Sequence, residues 1–90
     1  MNKTNNPHSG LPTVVATQEI PATAEMIKVV LGPFHHDERP EFDVQVKGET
    51  PHGSLASNVD SIEHNNNYKV IYQFQNFGQV PVQVTIYRID

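Results

Sequence analysis

The sequence predicts an all-β protein: a small immunoglobulin-like antiparallel β-sandwich of about five to seven short strands, preceded by an extended N-terminal arm. Apolar and polar residues alternate over several short segments, and turn residues separate these segments. Helical periodicity is absent at any useful length. A chain of 90 residues forms one domain at most, so we divide it into an arm over residues 1–24 and a sandwich domain over residues 25–90.

The arm is rich in proline and shows neither helical nor strand periodicity over more than a few residues. Proline holds a chain in extended or turning conformations, and chain termini often fray, so a floppy tail is one interpretation. The other is an interaction element that lays its apolar side chains onto a partner. Those side chains belong to Leu11, Val14, Val15 and Ile20.

The middle of the chain predicts three strands. Residues 25–31 form the first, with every second residue apolar, and Gly32–Pro33 is expected to end it. Residues 41–49 alternate cleanly and predict a half-buried strand. A turn at residues 50–53, with proline at its second position, precedes residues 54–64, where the weaker alternation predicts a bulged strand or two short pieces.

The last third carries the strongest strand signal. A turn is expected at residues 64–67, since asparagine tolerates positive φ. Residues 68–77 and 80–89 then alternate with Gly78 between them, which predicts a hairpin. The expected core combines the apolar faces of all these strands: Ile27, Val29, Leu31, Phe42, Val44, Val46, Leu55, Ile62, Tyr68, Val70, Tyr72, Phe74, Val82, Val84 and Ile86. A core drawn from about 65 residues is marginal alone, so we expect a homo-oligomer or docking onto a partner.

Composition argues against several classes of function. The net charge is −4, and the six Lys and Arg residues are scattered, so no basic stripe is present to bind nucleic acid. The N-terminus lacks the apolar region of a secretory signal, and no apolar run approaches the length of a membrane span. We therefore expect a virion or cytoplasmic location. The chain has no cysteine, which excludes disulfides and thiolate metal sites.

The stretch YKVIYQFQNFGQVPVQVTIYRID, residues 68–90, is similar to the closing hairpin of bacterial immunoglobulin-like repeat domains found on surface and adhesion proteins. The shared features are alternating aromatic residues, then Asn76, one residue, Gly78, and the run VPVQVTI. This resemblance implies an immunoglobulin-like sandwich that serves as a spacer or adhesive module.

The densest chemistry lies in PFHHDERPEF, residues 33–42. Its imidazoles and carboxylates could bind a metal, with His52 or His64 completing a tetrahedral zinc site. Adjacent residues of an extended chain point to opposite sides, so we expect no metal or cofactor here. The alternative is a solvated loop between strands that touches a partner through its polar residues: His35, His36, Asp37, Glu38 and Arg39.

No nucleophile motif and no glycine-rich phosphate loop accompany these residues, so we do not expect an enzyme. A carbohydrate-binding or adhesive module is the alternative function, with Tyr68, Tyr72 or Tyr87 as stacking platforms, although the first two share a face with core residues. The overall construction resembles small phage capsid decoration or cement proteins and minor tail components. That resemblance implies a non-enzymatic assembly protein whose partners are other protein subunits, either copies of itself or capsid and tail proteins.

Overall fold

A computed structural model describes residues 12–48 and 54–90, and these residues form strands and turns without a helix. Accordingly, within these two ranges no helix is long and apolar enough to span a membrane. The all-β prediction is confirmed. The described strands are β1 (Thr13–Ile20), β2 (Ile27–His35), β3 (Phe42–Lys47), β4 (Leu55–His64), β5 (Asn67–Asn76) and β6 (Val82–Arg88).

The strands form two three-stranded antiparallel sheets in a sandwich-like arrangement. Sheet A has the order β1-β6-β3, and sheet B has the order β2-β5-β4. Apolar side chains from both sheets pack in one core, so the inner face of each sheet is covered by the other. The buried hydrophobic residues are Ile20, Leu31, Phe74, Val82, Val84 and Ile86.

The central strands β5 and β6 supply most of this core. In β6, Val82, Val84 and Ile86 alternate with outward-facing residues and are at most 2% exposed. The ring of Phe74 in β5 stacks on that of Tyr72 with 6.1 Å between centroids. Burying one such side chain stabilises the fold by about 1.5–3 kcal/mol. Further expected core residues are half-buried around this centre: Ile27, Val29, Phe42, Val44, Leu55, Tyr68, Val70 and Tyr72.

The hairpin expected between residues 68–77 and 80–89 does not form, because β5 and β6 lie in different sheets. The side chain of Asn76 explains the change of sheet. It is fully buried, donates to the carbonyl oxygens of Ile20 (3.1 Å) and Val80 (2.8 Å), and accepts from the backbone N–H of Gly78 (2.8 Å). These bonds fold the chain across the core instead of back along β5. The closing stretch therefore links the two sheets.

Two other strand boundaries differ from expectation. β2 continues through Gly32–Pro33 to His35, because a register irregularity between Leu31 and Phe34 absorbs the disturbance. Gly32 has φ +109°, a conformation that suits glycine. β4 pairs with β5 in unbroken register over ten residues, without the expected bulge. The two-residue turn between them is confirmed, and Asn65 has φ +57°.

The unbroken register of β4 corrects one core prediction. Leu55 and Val59 occupy the inner face of β4, and Ile62 lies at the opposite parity, beside Lys69 on the outer face. Ile62 is 56% exposed, because only a bulge could have turned it inward. Val46, also expected in the core, is 44% exposed at the end of β3.

The extended arm predicted over residues 1–24 is not confirmed where the structure describes it. Residues 13–20 form β1, which pairs antiparallel with β6 along its whole length. The side chain of Ile20 is fully buried in the core. Leu11 lies outside the described residues, as does the turn expected at residues 50–53.

Candidate functional site

The two long sides of the sandwich differ. On the closed side, β1 packs across the core against β2 and β5. On the open side, the edge strands β3 and β4 face each other, and a groove of about 240 Å³ separates the sheets. The groove is lined by Val44, Ser57, Asn58, Val59, Tyr72 and Phe74.

Apolar side chains that point inward on the open side are still in contact with water. Val59 on the inner face of β4 is 55% exposed, and Val46 on the inner face of β3 is 44% exposed. In β4 every residue after Leu55 is exposed. Strand alternation places these valines on the inner face, but no described element lies over them.

The outer backbone edges of the open side are free of strand pairing, as are those of β1 and β2 within the described ranges, but only on the open side do they lie beside exposed inward-facing valines. Among the described strands, β3 pairs only with β6 and β4 pairs only with β5. Each therefore presents a free row of N–H and C=O groups, which is a template for pairing with another chain. The combination of free backbone groups, exposed valines and an apolar groove makes the open side the candidate functional site.

The outer face of sheet B has a second apolar region. A pocket of about 380 Å³ lies beside the β4–β5 turn, and Val30 on β2 is 53% exposed nearby on the same face. This face mixes apolar and charged side chains, as Ile62 and Lys69 show. The pocket is lined by Pro33, Ile62, His64, Asn67, Tyr68 and Lys69.

The predicted interface loop lies at one end of the sandwich. His35 is the last residue of β2, and the backbone N–H of His36 donates to the carbonyl oxygen of Asn66 at 2.8 Å. The carboxylate of Glu38 accepts from the N–H of His35 at 3.0 Å. The guanidinium of Arg39 donates to the carbonyl oxygen of His36 at 3.2 Å. These bonds fix the loop against the β4–β5 turn while its side chains stay exposed.

The loop brings three potential metal ligands together. Atoms of His35, His36 and Asp37 lie within 4.8 Å of one another, and the two imidazole rings are 4.5 Å apart. The argument that adjacent residues point apart fails here, because β2 ends at His35 and a turn follows. All three side chains are exposed, and the carboxylate of Asp37 lies 3.1 Å from Nε2 of His36. That this loop serves protein contacts and holds no metal stays a prediction.

Arg88 anchors the same end of the molecule. Its guanidinium lies over the ring of Phe34 at 5.7 Å, contacts the carboxylate of Glu38 at 3.6 Å, and donates to the carboxylate of Asp90 at 2.8 Å. The hydrogen bond from Arg88 holds the pKa of the Asp90 carboxyl below its ordinary value, and the same bond raises the pKa of Arg88. The hydroxyl of Tyr68 donates to the carbonyl oxygen of Glu38 at 3.1 Å, so the loop is tied to the sandwich from two sides.

The apolar residues assigned to the arm separate in the structure. Ile20 lies in the core, whereas Val14 and Val15 are 53% and 39% exposed near the start of β1. A register irregularity between Val14 and Ala16 disturbs the alternation there. The structure thus brings Ile20 to β6 but leaves the two valines on the surface.

Sequence reasoning missed both Asn76 and the open side. The signal for Asn76 was its spacing from Gly78, where an added Cβ would lie 3.0 Å from the Asn76 side-chain oxygen. No signal marked Val46 as exposed, because its alternation is that of a core residue, and the weak alternation around Val59 did not show which way it points. Comparison with known proteins gives no match: no family model, no curated protein and no solved structure matches this chain.

Proposed function

We propose that this protein is a non-enzymatic structural subunit that assembles with other protein subunits through its open side. The observation that carries the proposal is the coincidence of free strand edges with exposed inward-facing valines, Val46 and Val59. A second protein surface placed there satisfies the backbone groups and buries the valines in one step.

The energetics favour such an assembly. Each Å² of apolar surface removed from water stabilises a complex by about 25 cal/mol, and a 90-residue chain has a modest core of its own. Strand addition at a sheet edge gains affinity from main-chain hydrogen bonds and specificity from alternate side chains. The groove beside Val59 offers room for such side chains.

The order of the strands supports an immunoglobulin-like interpretation of the fold. In constant-type domains, strands B, E and D are neighbours in one sheet, and strands C, F and G are neighbours in the other. Here β2-β5-β4 follows the order B-E-D, and β3-β6 follows C-F. β1 takes the position beside β6 that strand G occupies in those domains.

We further propose that the assembly is a virus particle. In it, this chain is a capsid decoration or cement protein or a minor tail component. The support is the architecture of the protein, which is a small acidic β-domain with unpaired strand edges and a polar loop held in place by hydrogen bonds. In such a particle the interface loop, His35 to Arg39, lies at one end of the sandwich and is free to contact a neighbouring subunit.

The alternative, a carbohydrate-binding or adhesive module, gains less support. Tyr68 and Tyr72 are half-buried and share the inner face with Phe74. Tyr87 is half-buried on the outer face of sheet A, between Val14 and Asp43. A single half-buried tyrosine is a poor platform for stacking a sugar ring.

A pair of substitutions on β4 tests the proposed interface. Val59 and Ile62 lie on the same strand and are equally exposed, at 55% and 56%, but face opposite sides. A lysine at position 59 points into the groove that the partner would cover, whereas a lysine at position 62 points to the outer face and stays in water. We expect Val59→Lys to weaken self-association by at least about tenfold, as an unpaired charge in an interface costs more than 1.4 kcal/mol. The matched control Ile62→Lys should leave association unchanged.

Sedimentation velocity over a range of concentrations is the measurement, with thermal melts to confirm that both variants fold. Assembly between copies of this chain would be wrong if the unsubstituted protein sedimented as a monomer at every concentration. The proposed location would be wrong if the two lysine variants weakened association equally.

A further inference from the structure

β1 is an edge strand whose neighbour along the chain lies in the other sheet. Its hydrogen-bonding partner is β6 of sheet A, yet the next strand along the chain, β2, belongs to sheet B. Residues 21–26 make the connection between the two sheets. β1, the first described strand, thus pairs within one sheet and is joined to the other by a connector of six residues.

The connector is conformationally strained. Ala24 has φ +61°, a left-handed conformation that disfavours an L-residue by about five- to thirtyfold in population. Two bonds hold it in place: its N–H donates to the carbonyl oxygen of Asn76 at 3.1 Å, and Nε2 of Gln75 donates to its carbonyl oxygen at 3.2 Å. Short hinge segments under strain favour the exchange of the element they carry.

We propose that β1 is an exchangeable strand that pairs with β6 of a second copy of this chain. The proposal rests on the proposed function and names its partner and its mode of contact. In the exchanged form, residues 21–26 straighten, and Ile20 fills the same core position in the neighbouring molecule. Such donor-strand pairing is a known mode of recognition at a sheet edge.

The strands that contact β1 are the same whether β1 belongs to their own chain or to another copy. The antiparallel register from Thr13 opposite Arg88 to Ile20 opposite Val82, and the bond from Asn76 to the carbonyl oxygen of Ile20, depend only on β5 and β6. An exchanged strand therefore recovers these contacts, which is why strand exchange is a low-cost route to oligomers. Without a β1 strand paired to it, β6 would expose its edge, and Val82 and Val84 would lose their cover.

Exchange becomes populated when the chain concentration approaches the effective concentration of β1 at its own β6. A short connector holds β1 near its own β6 at an effective concentration of about 1 mM. Strain at Ala24 reduces that advantage about five- to thirtyfold. Exchange should then compete with closure at chain concentrations of about 0.03–0.2 mM. Such concentrations are reached in purified samples and inside assembling particles.

Cysteine pairing measures the exchange directly, because the chain has no cysteine of its own. Glu19 pairs with Gln83 across β1 and β6, and both are exposed. Full-length Glu19→Cys and Gln83→Cys chains are refolded together at high concentration, oxidised, and examined by non-reducing electrophoresis and peptide mass spectrometry. We expect a disulfide between positions 19 and 83 of different chains, well above that between Gln83→Cys and the control Lys28→Cys on sheet B.

Two changes in the connector move the result in opposite directions. Ala24→Gly relieves the strain and should reduce the heterodimer yield about fivefold or more. Deleting residues 22–24 leaves three connector residues, which span about 10 Å when extended, about the distance between packed sheets. With no slack left, closure requires a fully extended connector, so the deletion should disfavour closure and raise the heterodimer yield.

The outcomes distinguish strand exchange from the broader proposal that the protein assembles through its open side. A chain that carries both Glu19→Cys and Gln83→Cys serves as the reference for closure. If its 19–83 disulfide forms only within one molecule, and the mixed single-cysteine chains give no more dimer than the control, strand exchange is wrong. Association that remains sensitive to Val59→Lys in the same samples would leave the assembly function standing. In chains that carry both cysteines, covalent dimers alone would show reciprocal exchange, and a ladder of larger covalent species would show an open chain of copies; either supports exchange.

Discussion

The closed and open sides of the sandwich are built from similar strands but have different burial. On the closed side, Ile20 of β1 is fully buried and Leu31 of β2 is 7% exposed. On the open side, Val46 of β3 and Val59 of β4 point inward yet remain about half exposed, at 44% and 55%. An inward-facing residue is therefore buried only where an element of the opposite sheet covers it.

This difference separates stability from interaction. Side chains of the closed side and the centre stabilise the monomer, because their removal leaves a cavity. Side chains of the open side contribute little to the monomer and are free to stabilise a contact with another molecule. Substitutions matched between the two sides test that division.

The largest effect is expected at the centre of the core. Phe74 is 1% exposed, and Phe74→Ala should lower the free energy of unfolding by about 3–5 kcal/mol through the cavity it leaves. Val59→Ala on the open side should change it by less than about 0.5 kcal/mol. Urea denaturation monitored by circular dichroism measures both. Similar losses in the two variants would contradict the distinction between the sides.

A somewhat smaller effect is expected where β1 covers the core. Ile20→Ala removes a fully buried side chain and should cost about 2–5 kcal/mol. Val14→Ala, on the exposed start of the same strand, should cost less than about 0.5 kcal/mol. Hydrogen exchange should show faster exchange of β6 amides in the first variant only. Equal stability of the two variants would mean that β1 is dispensable for the fold.

A third effect tests the crossover between the sheets. Asn76→Ala removes the partner of two carbonyl oxygens and one N–H, and leaving a buried polar group unsatisfied costs about 1–3 kcal/mol. Asn58→Ala on the exposed strand β4 is the control. Chemical denaturation should detect a loss for Asn76→Ala and none for Asn58→Ala. An Asn76→Ala variant with unchanged stability would show that other contacts direct the chain from β5 to β6.

The smallest effect concerns pH. The hydrogen bond from Arg88 lowers the pKa of the Asp90 carboxyl in the folded state, so this contribution to stability is present above the ordinary carboxyl pKa and is lost as pH falls through the lowered value. Both side chains remain in contact with water, with 33% and 26% of their surface exposed, so the change should be small. Melting temperatures of the unsubstituted protein and of Arg88→Gln, measured from about pH 6 down to about pH 2, should converge at the acid end. Parallel curves would mean that the pair contributes nothing.

The sequence by itself determined the β class, most strand positions and the faces of the regular strands. Alternation in β3 and β6 fixes which side chains point inward, because the side-chain period of a strand is two residues. The turn at Asn65 also followed from local chemistry, since asparagine tolerates the positive φ found there. The polar loop from His35 to Arg39 could be found, but not the turn that brings His35 and His36 together.

Only the tertiary structure decided which strands are neighbours and which inward faces are covered. Residues 68–90 read locally as a hairpin, but a buried Asn76 directs β5 and β6 into different sheets. Ile20 could not be assigned to the core from a proline-rich segment, because its burial depends on a seat formed by β6, far away in the sequence. The open side was likewise hidden, because Val46 and Val84 both belong to cleanly alternating strands and differ in what the rest of the chain places above them.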